Sequence, residues 1–328
     1  MTRILFAAGG YVEAKKCFNG EYQLTIHKSG QQLSSYPTLN TKYPLSLVEQ
    51  ILNVKGLDFL FDEIRREEDP DYVTCSMEIE ILSYVAPTDF AGKRILDFGC
   101  GSGASTIVLK RLFPDAHIVG IELRSDYIKI AAERVKFYDL SGVSFLLSPN
   151  SMSLPPNIGQ FDAIILSAVF EHLLPDERPV LLSDLWFQLN PGGILFLRET
   201  PFRYAPIESH TTGLPLLNYL PDRLAHAVIR RYTRFNHGET WEEMLRFGIR
   251  GGTEREVIRI LQNTPDAPVL LDPYRNGITN RVELWHRLPT GRRFHLIKNL
   301  MKWAFEIVRR LTGMNITPQL SLAIQKNR

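Results

Sequence analysis

Between Lys93 and Thr200 short apolar runs alternate with amphipathic helical patterns, and no other feature restricts the fold as much. RILDF (94–98), HIVGIE (117–122), VSFLL (143–147), FDAIILS (161–167) and GILFLRE (193–199) are near-continuous apolar runs of strand length. Between them GASTIVLKRLF (103–113), SDYIKIAAERVKFYDL (125–140) and ERPVLLSDLWFQL (177–189) repeat apolar residues at helical spacing. Strands apolar on both faces and separated by helices predict an α/β fold, with a doubly wound, mostly parallel sheet covered on both sides. Ligands of such sheets lie beyond the carboxyl ends of the strands, where the strand order switches.

The chain has 328 residues, 44% hydrophobic and 23% charged, which is ample for a sizeable core. Residues 1–90 read as an N-terminal cap, with a strand start at ILFAA and helices at 46–66 and 77–86. Residues 91–200 form the Rossmann-like core. Residues 201–290 read as a lid or insertion after the fifth strand, helical near 221–234 and 239–262. Residues 291–328 supply a basic amphipathic helix and a closing strand. RVELWHRL (281–288) reads as a sixth strand and QLSLAIQK (319–326) as an edge strand. No apolar run approaches the roughly 18 residues of a membrane span, and the N-terminal run is too short for a secretory signal. Cys17, Cys75 and Cys100 are far apart and make neither a metal-ligand pair nor a disulfide framework. A reducing cytoplasm and no metal are therefore expected. The net charge of +2 conceals an asymmetry: residues 201–328 carry 20 Lys and Arg against 11 Asp and Glu. A basic C-terminal part predicts an anionic partner or a solvated basic face.

The first strand runs into ILDFGCGSGAST (95–106). Asp97, Gly99, Gly101 and Gly103 form D-x-G-x-G-x-G, yet the same stretch reads as G-x-G-x-x-A with Ala104, the dinucleotide fingerprint. No Gly-Lys-Ser/Thr follows, which excludes a Walker loop. A fixed carboxylate at Asp97 would repel a pyrophosphate on the helix N-terminus and would welcome an ammonium group. Glu122 ends the second strand, about 20 residues beyond the loop, where an acid accepts both ribose hydroxyls. Asn150, in SPNSMSLP after the third strand, offers an amide to an adenine edge. FDAIILSAVFEHL (161–173) and LNPGGILFL (189–197) follow.

In this order and spacing these segments resemble the class I S-adenosylmethionine-dependent methyltransferases, similar to bacterial small-molecule and glycan-associated members, over about residues 90–200. The resemblance implies S-adenosylmethionine as cofactor. It places Asp97 and the backbone of Gly99, Gly101 and Gly103 on the methionine part, Glu122 on the ribose and Leu123 against the adenine. Asn150 and Ser151 would meet the adenine edge, and Ser167 would lie under the methionine end. Such members more often carry Asp at the Asn150 position.

Methyl transfer from a sulfonium is an in-line displacement in which positioning does much of the work. A hydroxyl acceptor also needs a base, and histidine suits that role. Two candidate catalytic residues follow. His172 lies in VFEHL after the fourth strand. His210 lies in ETPFRYAPIESHTTGLPLLNYLP (199–221), a polar and aromatic stretch placed as a substrate lid. The plainer readings are that Glu171 and His172 brace loops and that this stretch is a packed connection. The expected acceptor is a hydroxyl or carboxylate on a metabolite, sugar or lipid-linked molecule. Ser167-Ala168-Val169-Phe170 stands where base N-methylating enzymes carry Asn/Asp-Pro-Pro-aromatic, which argues against nucleic acid.

In GIRGGTEREVIRIL (248–261) a helix break at Gly251-Gly252 precedes a Thr253 cap, with an anion clamp by Arg250 and Arg255 as the alternative. Near 294–312, Ile297, Leu300, Met301, Ala304, Val308 and Leu311 form an apolar stripe. Arg292, Arg293, Lys298, Lys302, Arg309 and Arg310 surround it, against Glu306 alone. Core packing on the sheet is the expected use of that stripe. Contact with an anionic membrane at its inner face, through residues 292–312, is the other. The rival functions are a nicotinamide-dependent oxidoreductase or epimerase, and a non-catalytic protein that keeps the cofactor pocket.

Overall fold

In a computed structural model, residues 2–30, 36–235, 238–291 and 294–327 are described. The first 41 residues contain a four-stranded antiparallel sheet, of which only the first strand was expected from sequence. Its strands lie side by side in chain order: β1 (Thr2–Ala7), β2 (Gly10–Lys16), β3 (Tyr22–Lys28) and β4 (Thr38–Thr41). Its pattern is hard to read because β1 turns Ile4 and Phe6 outward, 52% and 76% exposed. The alternating residues Val12, Ala14, Leu24 and Ile26 bury one face against α1 (Leu45–Lys55) and α2 (Leu57–Glu68). A further helix, α3 (Cys75–Leu82), leads into the core.

The expected alternation then follows. It comprises β5 (Arg94–Phe98), α4 (Ala104–Leu112), β6 (His117–Glu122), α5 (Ser125–Phe137), β7 (Val143–Leu147), β8 (Phe161–Ser167), α6 (Glu177–Phe187) and β9 (Leu189–Pro201). Period-two burial sorts these strands' side chains onto two faces. Leu96, Ile121, Ile164 and Leu197 meet Leu181, Leu185 and Trp186 of α6. Ile95, Ile118, Ile165 and Phe196 meet Met77 and Ile81 of α3 and Val108 and Leu109 of α4. Apolar runs without alternation are what burial on both faces requires.

The chain continues as α7 (Asp222–Tyr232), α8 (Trp241–Arg246), α9 (Glu254–Gln262), β10 (Pro268–Leu271), α10 (Arg281–Arg287), α11 (His295–Thr312) and β11 (Gln319–Lys326). The seven-stranded sheet has the order β10-β11-β9-β8-β5-β6-β7. β5 pairs in parallel with both β6 and β8, so the order switches there. β11 is antiparallel to both its neighbours.

Several expectations need correction. RVELWHRL is the helix α10, because the Asn280 side chain accepts the Glu283 N–H at 2.9 Å and caps it. Its two-residue alternation is accidental. QLSLAIQK is an interior strand, since PVLL (268–271), not expected as a strand, pairs outside it. The helical stretch at 239–262 is two helices, parted where Gly248 and Gly251 take φ of 84° and 49°. Thr253 caps the second by accepting the Glu256 N–H at 3.0 Å. Arg250 clamps no anion from outside: it is buried, and its guanidinium donates to the Leu217, Asn218 and Leu220 carbonyls and to Asp222. The α11 stripe does not pack on the sheet. Leu300 and Leu311 are 68% and 80% exposed, while α11 rests on α10 through Phe305 against Trp285. Arg292 and Arg293 lie outside the described residues. Among the described residues no helix is long and apolar enough to cross a membrane.

One buried ion pair ties α3 to the sheet. Arg198 of β9 meets Glu80 Oε2 through Nε at 2.7 Å and Nη2 at 2.5 Å, with both side chains 1% exposed. Its Nη2 also donates to Ser76 and Glu199, and its Nη1 to Ser167.

Candidate active site

At the switch between β5 and β8 the chain leaves β5 into the glycine loop. Gly103 has φ of 87°, which only glycine takes cheaply, and a Cβ there would stand 2.6 Å from the Ala131 Cβ. It therefore sets the close approach of α4 to α5. Asp97 is buried at the end of β5, and its Oδ2 accepts the Ser105 and Thr106 hydroxyls at 2.7 and 2.6 Å. Its Oδ1 is buried with no hydrogen-bond partner. Burial raises its pKa, against those two hydroxyl bonds.

Glu122 ends β6. Its Oε2 accepts the Gly101 N–H at 3.0 Å, and its Oε1 accepts those of Leu123 and Arg124 at 2.7 and 3.1 Å. Three backbone donors thus hold one carboxylate beside the loop. Beyond the strand ends lies a cavity of about 310 Å³. Gly99, Glu122, Leu123, Asn150, Ser151 and His172 line it, with Phe98, Ile121, Ser148, Ala168, Val169, Leu173 and Arg246. Asn150 Oδ1 accepts the Met152 N–H at 2.8 Å, and Ser151 donates to Glu177 at 2.8 Å.

Asp97, Gly101, Gly103, Ser167 and His210 were expected at the site but do not line this cavity. The Ser167 hydroxyl is bonded to Arg198 at 3.2 Å. Arg246 was not expected and comes from α8. Its guanidinium meets Glu177 in a two-point ion pair at 2.5 and 2.6 Å, which latches α8 of the inserted segment to the start of α6. Arg246 holds Glu177 below the usual carboxylate range, although burial acts the other way.

Beside the cavity, a 3₁₀ turn at Phe170–His172 presents Glu171 and His172. The His172 ring lies 5.5 Å from that of His210. Burial lowers the pKa of both imidazoles. Burial also pushes Glu171 up to about 7, against a hydrogen bond from Thr200. No sequence signal paired His172 with His210, because the approach depends on the path of the inserted segment.

Residues 95–193 match the family described as a methyltransferase domain. The fatty-acid O-methyltransferase of Mycolicibacterium smegmatis is 31% identical over 160 residues, 46% of this chain and 56% of that protein. The chain thus spans little more than half the length of that relative. A tRNA (guanine-N(7)-)-methyltransferase of Drosophila virilis is 30% identical over 190 residues, 52% of this chain and 72% of that protein. The chain belongs to the class I S-adenosylmethionine-dependent methyltransferases. A solved O-methyltransferase family protein from Burkholderia thailandensis superposes with a TM-score of 0.47 at 12% identity, covering 85% of this chain and 61% of that one.

The cofactor of this methyltransferase family, S-adenosylmethionine, suits the residues present. The unpartnered Asp97 Oδ1 is a buried acceptor beside the loop. The Glu122 carboxylate stands fixed in the cavity wall at the end of β6. An acid at that place accepts ribose hydroxyls.

Proposed function

We propose that this chain transfers a methyl group from S-adenosylmethionine to a hydroxyl or carboxylate oxygen of a small-molecule or lipid-linked acceptor. The observation that carries this is a cavity at the switch point that Glu122, at the end of β6, and His172 both line. Similarity to the fatty-acid O-methyltransferase supports an acceptor oxygen on an apolar molecule. When bound, S-adenosylmethionine supplies an electrophilic methyl group. Asp97, Gly99 and Gly101 hold its methionine part, and Gly103 sets the helix that frames it. Glu122 takes the ribose, Leu123 covers the adenine, and Asn150 and Ser151 meet the adenine edge. Ser167 steadies the methionine end from its bond to Arg198.

The acceptor enters beside His172. His172 Nδ1 donates to the Arg246 carbonyl at 2.7 Å, which leaves Nε2 with a free lone pair. For a hydroxyl acceptor that nitrogen, with His210 next to it, would receive the proton; a carboxylate acceptor needs no base. Residues 201–290 act as the lid, latched by Arg246 on Glu177, and exclude water from the transfer. The family assignment disfavours the nicotinamide-dependent reading. The test is a methyl-label assay with fatty acids, phenols and sugars, and with tRNA as the competing acceptor. Label on a hydroxyl or carboxylate acceptor is expected. Label on tRNA alone would overturn the acceptor assignment. Cofactor binding without label anywhere would favour the non-catalytic protein.

A lipid-linked acceptor also gives α11 a use. Leu296, Leu300, Trp303, Ile307 and Leu311 recur at helical spacing and are 79%, 68%, 67%, 36% and 80% exposed. Lys302, Arg309 and Arg310 flank them. An exposed apolar stripe flanked by cations suits the inner, anionic face of a membrane. The chain should therefore sediment with phosphatidylserine vesicles and much less with phosphatidylcholine alone. Leu300→Glu should abolish that difference. Equal recovery with both vesicles would contradict the contact.

A further inference from the structure

Glu171, His172 and His210 each bring one ligand-type atom within 4.8 Å of the others. We infer that this cluster is a binding site for a divalent first-row transition-metal ion.

Three observations carry the inference. The first is tautomer control. With Nδ1–H given to the Arg246 carbonyl, His172 directs an unprotonated Nε2 toward Glu171 Oε1, 3.9 Å away. Metal-bound histidines are oriented by this kind of second bond to a carbonyl or carboxylate. The second is the carboxylate itself. Glu171 Oε2 accepts the Thr200 hydroxyl at 2.9 Å, whereas Oε1 is buried with no hydrogen-bond partner. A buried carboxylate oxygen without a donor is costly, and a cation removes that cost. The third is the backbone at Gly248. Its φ is 84°, and a Cβ there would lie 2.9 Å from His210 Nε2 and 3.1 Å from Glu171 Cγ. A larger residue there would be strained and would press on both side chains, so the glycine lets His210 and Glu171 approach each other.

Two imidazoles and one carboxylate form a donor set for zinc, iron, cobalt or manganese, not for magnesium or calcium, which take oxygen ligands. Three protein ligands leave positions open for an exogenous oxygen, as catalytic metal sites do. His172 also lines the cavity, so that oxygen comes from the molecule bound there. A metal ion lowers the pKa of an oxygen it holds, so a hydroxyl acceptor would give up its proton to solvent as it binds, before the water-excluded transfer, while both imidazoles serve as ligands. The site stands on its own geometry; only this use of it rests on the proposed methyl transfer.

The test uses the full chain after chelator treatment, titrated with Co²⁺ and Zn²⁺ in the absence of S-adenosylmethionine. One equivalent is expected to bind at micromolar affinity or tighter, with visible Co²⁺ absorption bands. His172→Ala and His210→Ala should each weaken binding at least about tenfold. His210 is only partly covered, on a surface segment, and melting without metal checks that its variant keeps the fold. Absence of binding, or parental affinity in either variant, would overturn the site. Cofactor titration is a separate readout. Metal binding without cofactor binding would sink the methyltransferase function and leave the metal site standing.

Discussion

Arg198→Met is expected to destabilise the folded chain by about 3–5 kcal/mol, the usual cost of stripping a buried charge of its partner. Arg198 and Glu80 are both buried on the face of the sheet that meets α3. Burial already pushes Glu80 up to about 7 against the pull of Arg198. Without the guanidinium the folded-state pKa rises further. A carboxyl with a raised folded-state pKa contributes its stability fully below its unfolded value, and that stability is lost as pH rises through the raised one. The variant should therefore lie closer to the parent near pH 5 than near pH 8. Adding Glu80→Leu should recover most of the loss, since an apolar pair replaces a buried ion pair at little cost. Denaturant midpoints at both pH values measure this. A loss below about 1 kcal/mol, or one that grows as pH falls, would refute the assignment.

Glu122→Ala should weaken S-adenosylmethionine binding about 30–100-fold, or about 2–3 kcal/mol, through loss of charged hydrogen bonds to the ribose. The variant also frees the amides of Gly101, Leu123 and Arg124, so the loop loses its anchor. Glu122→Gln keeps the side-chain volume and one acceptor oxygen, and it should lose less. Calorimetry on both, with melting curves to show that the fold survives, separates ribose binding from loop support. Parental affinity in Glu122→Ala would remove Glu122 from the site.

The core was legible because burial on both faces leaves apolar runs with few polar interruptions. Five strands and the helices between them could be read directly, and so could an acid at the end of the second strand. The N-terminal sheet was not, since β1 exposes Ile4 and Phe6 and lacks a clean two-residue pattern. RVELWHRL shows how a short apolar run supports either period until its cap, Asn280, decides. The α11 stripe signalled amphipathicity but not what it faces. At the site, local motifs placed Gly99, Glu122, Asn150 and His172 around one cavity. They could not supply Arg246, which reaches Glu177 from 69 residues away, or the approach of His210 to His172. Both depend on how the inserted segment folds back, and no period or spacing encodes that.

The most direct test of the central claim is calorimetric titration of the purified chain with S-adenosylmethionine, S-adenosylhomocysteine and NAD. Micromolar binding of the first two and none of NAD is the predicted result. Binding of NAD, with neither of the others, would mean that the loop is read as G-x-G-x-x-A and that the proposed transfer does not occur.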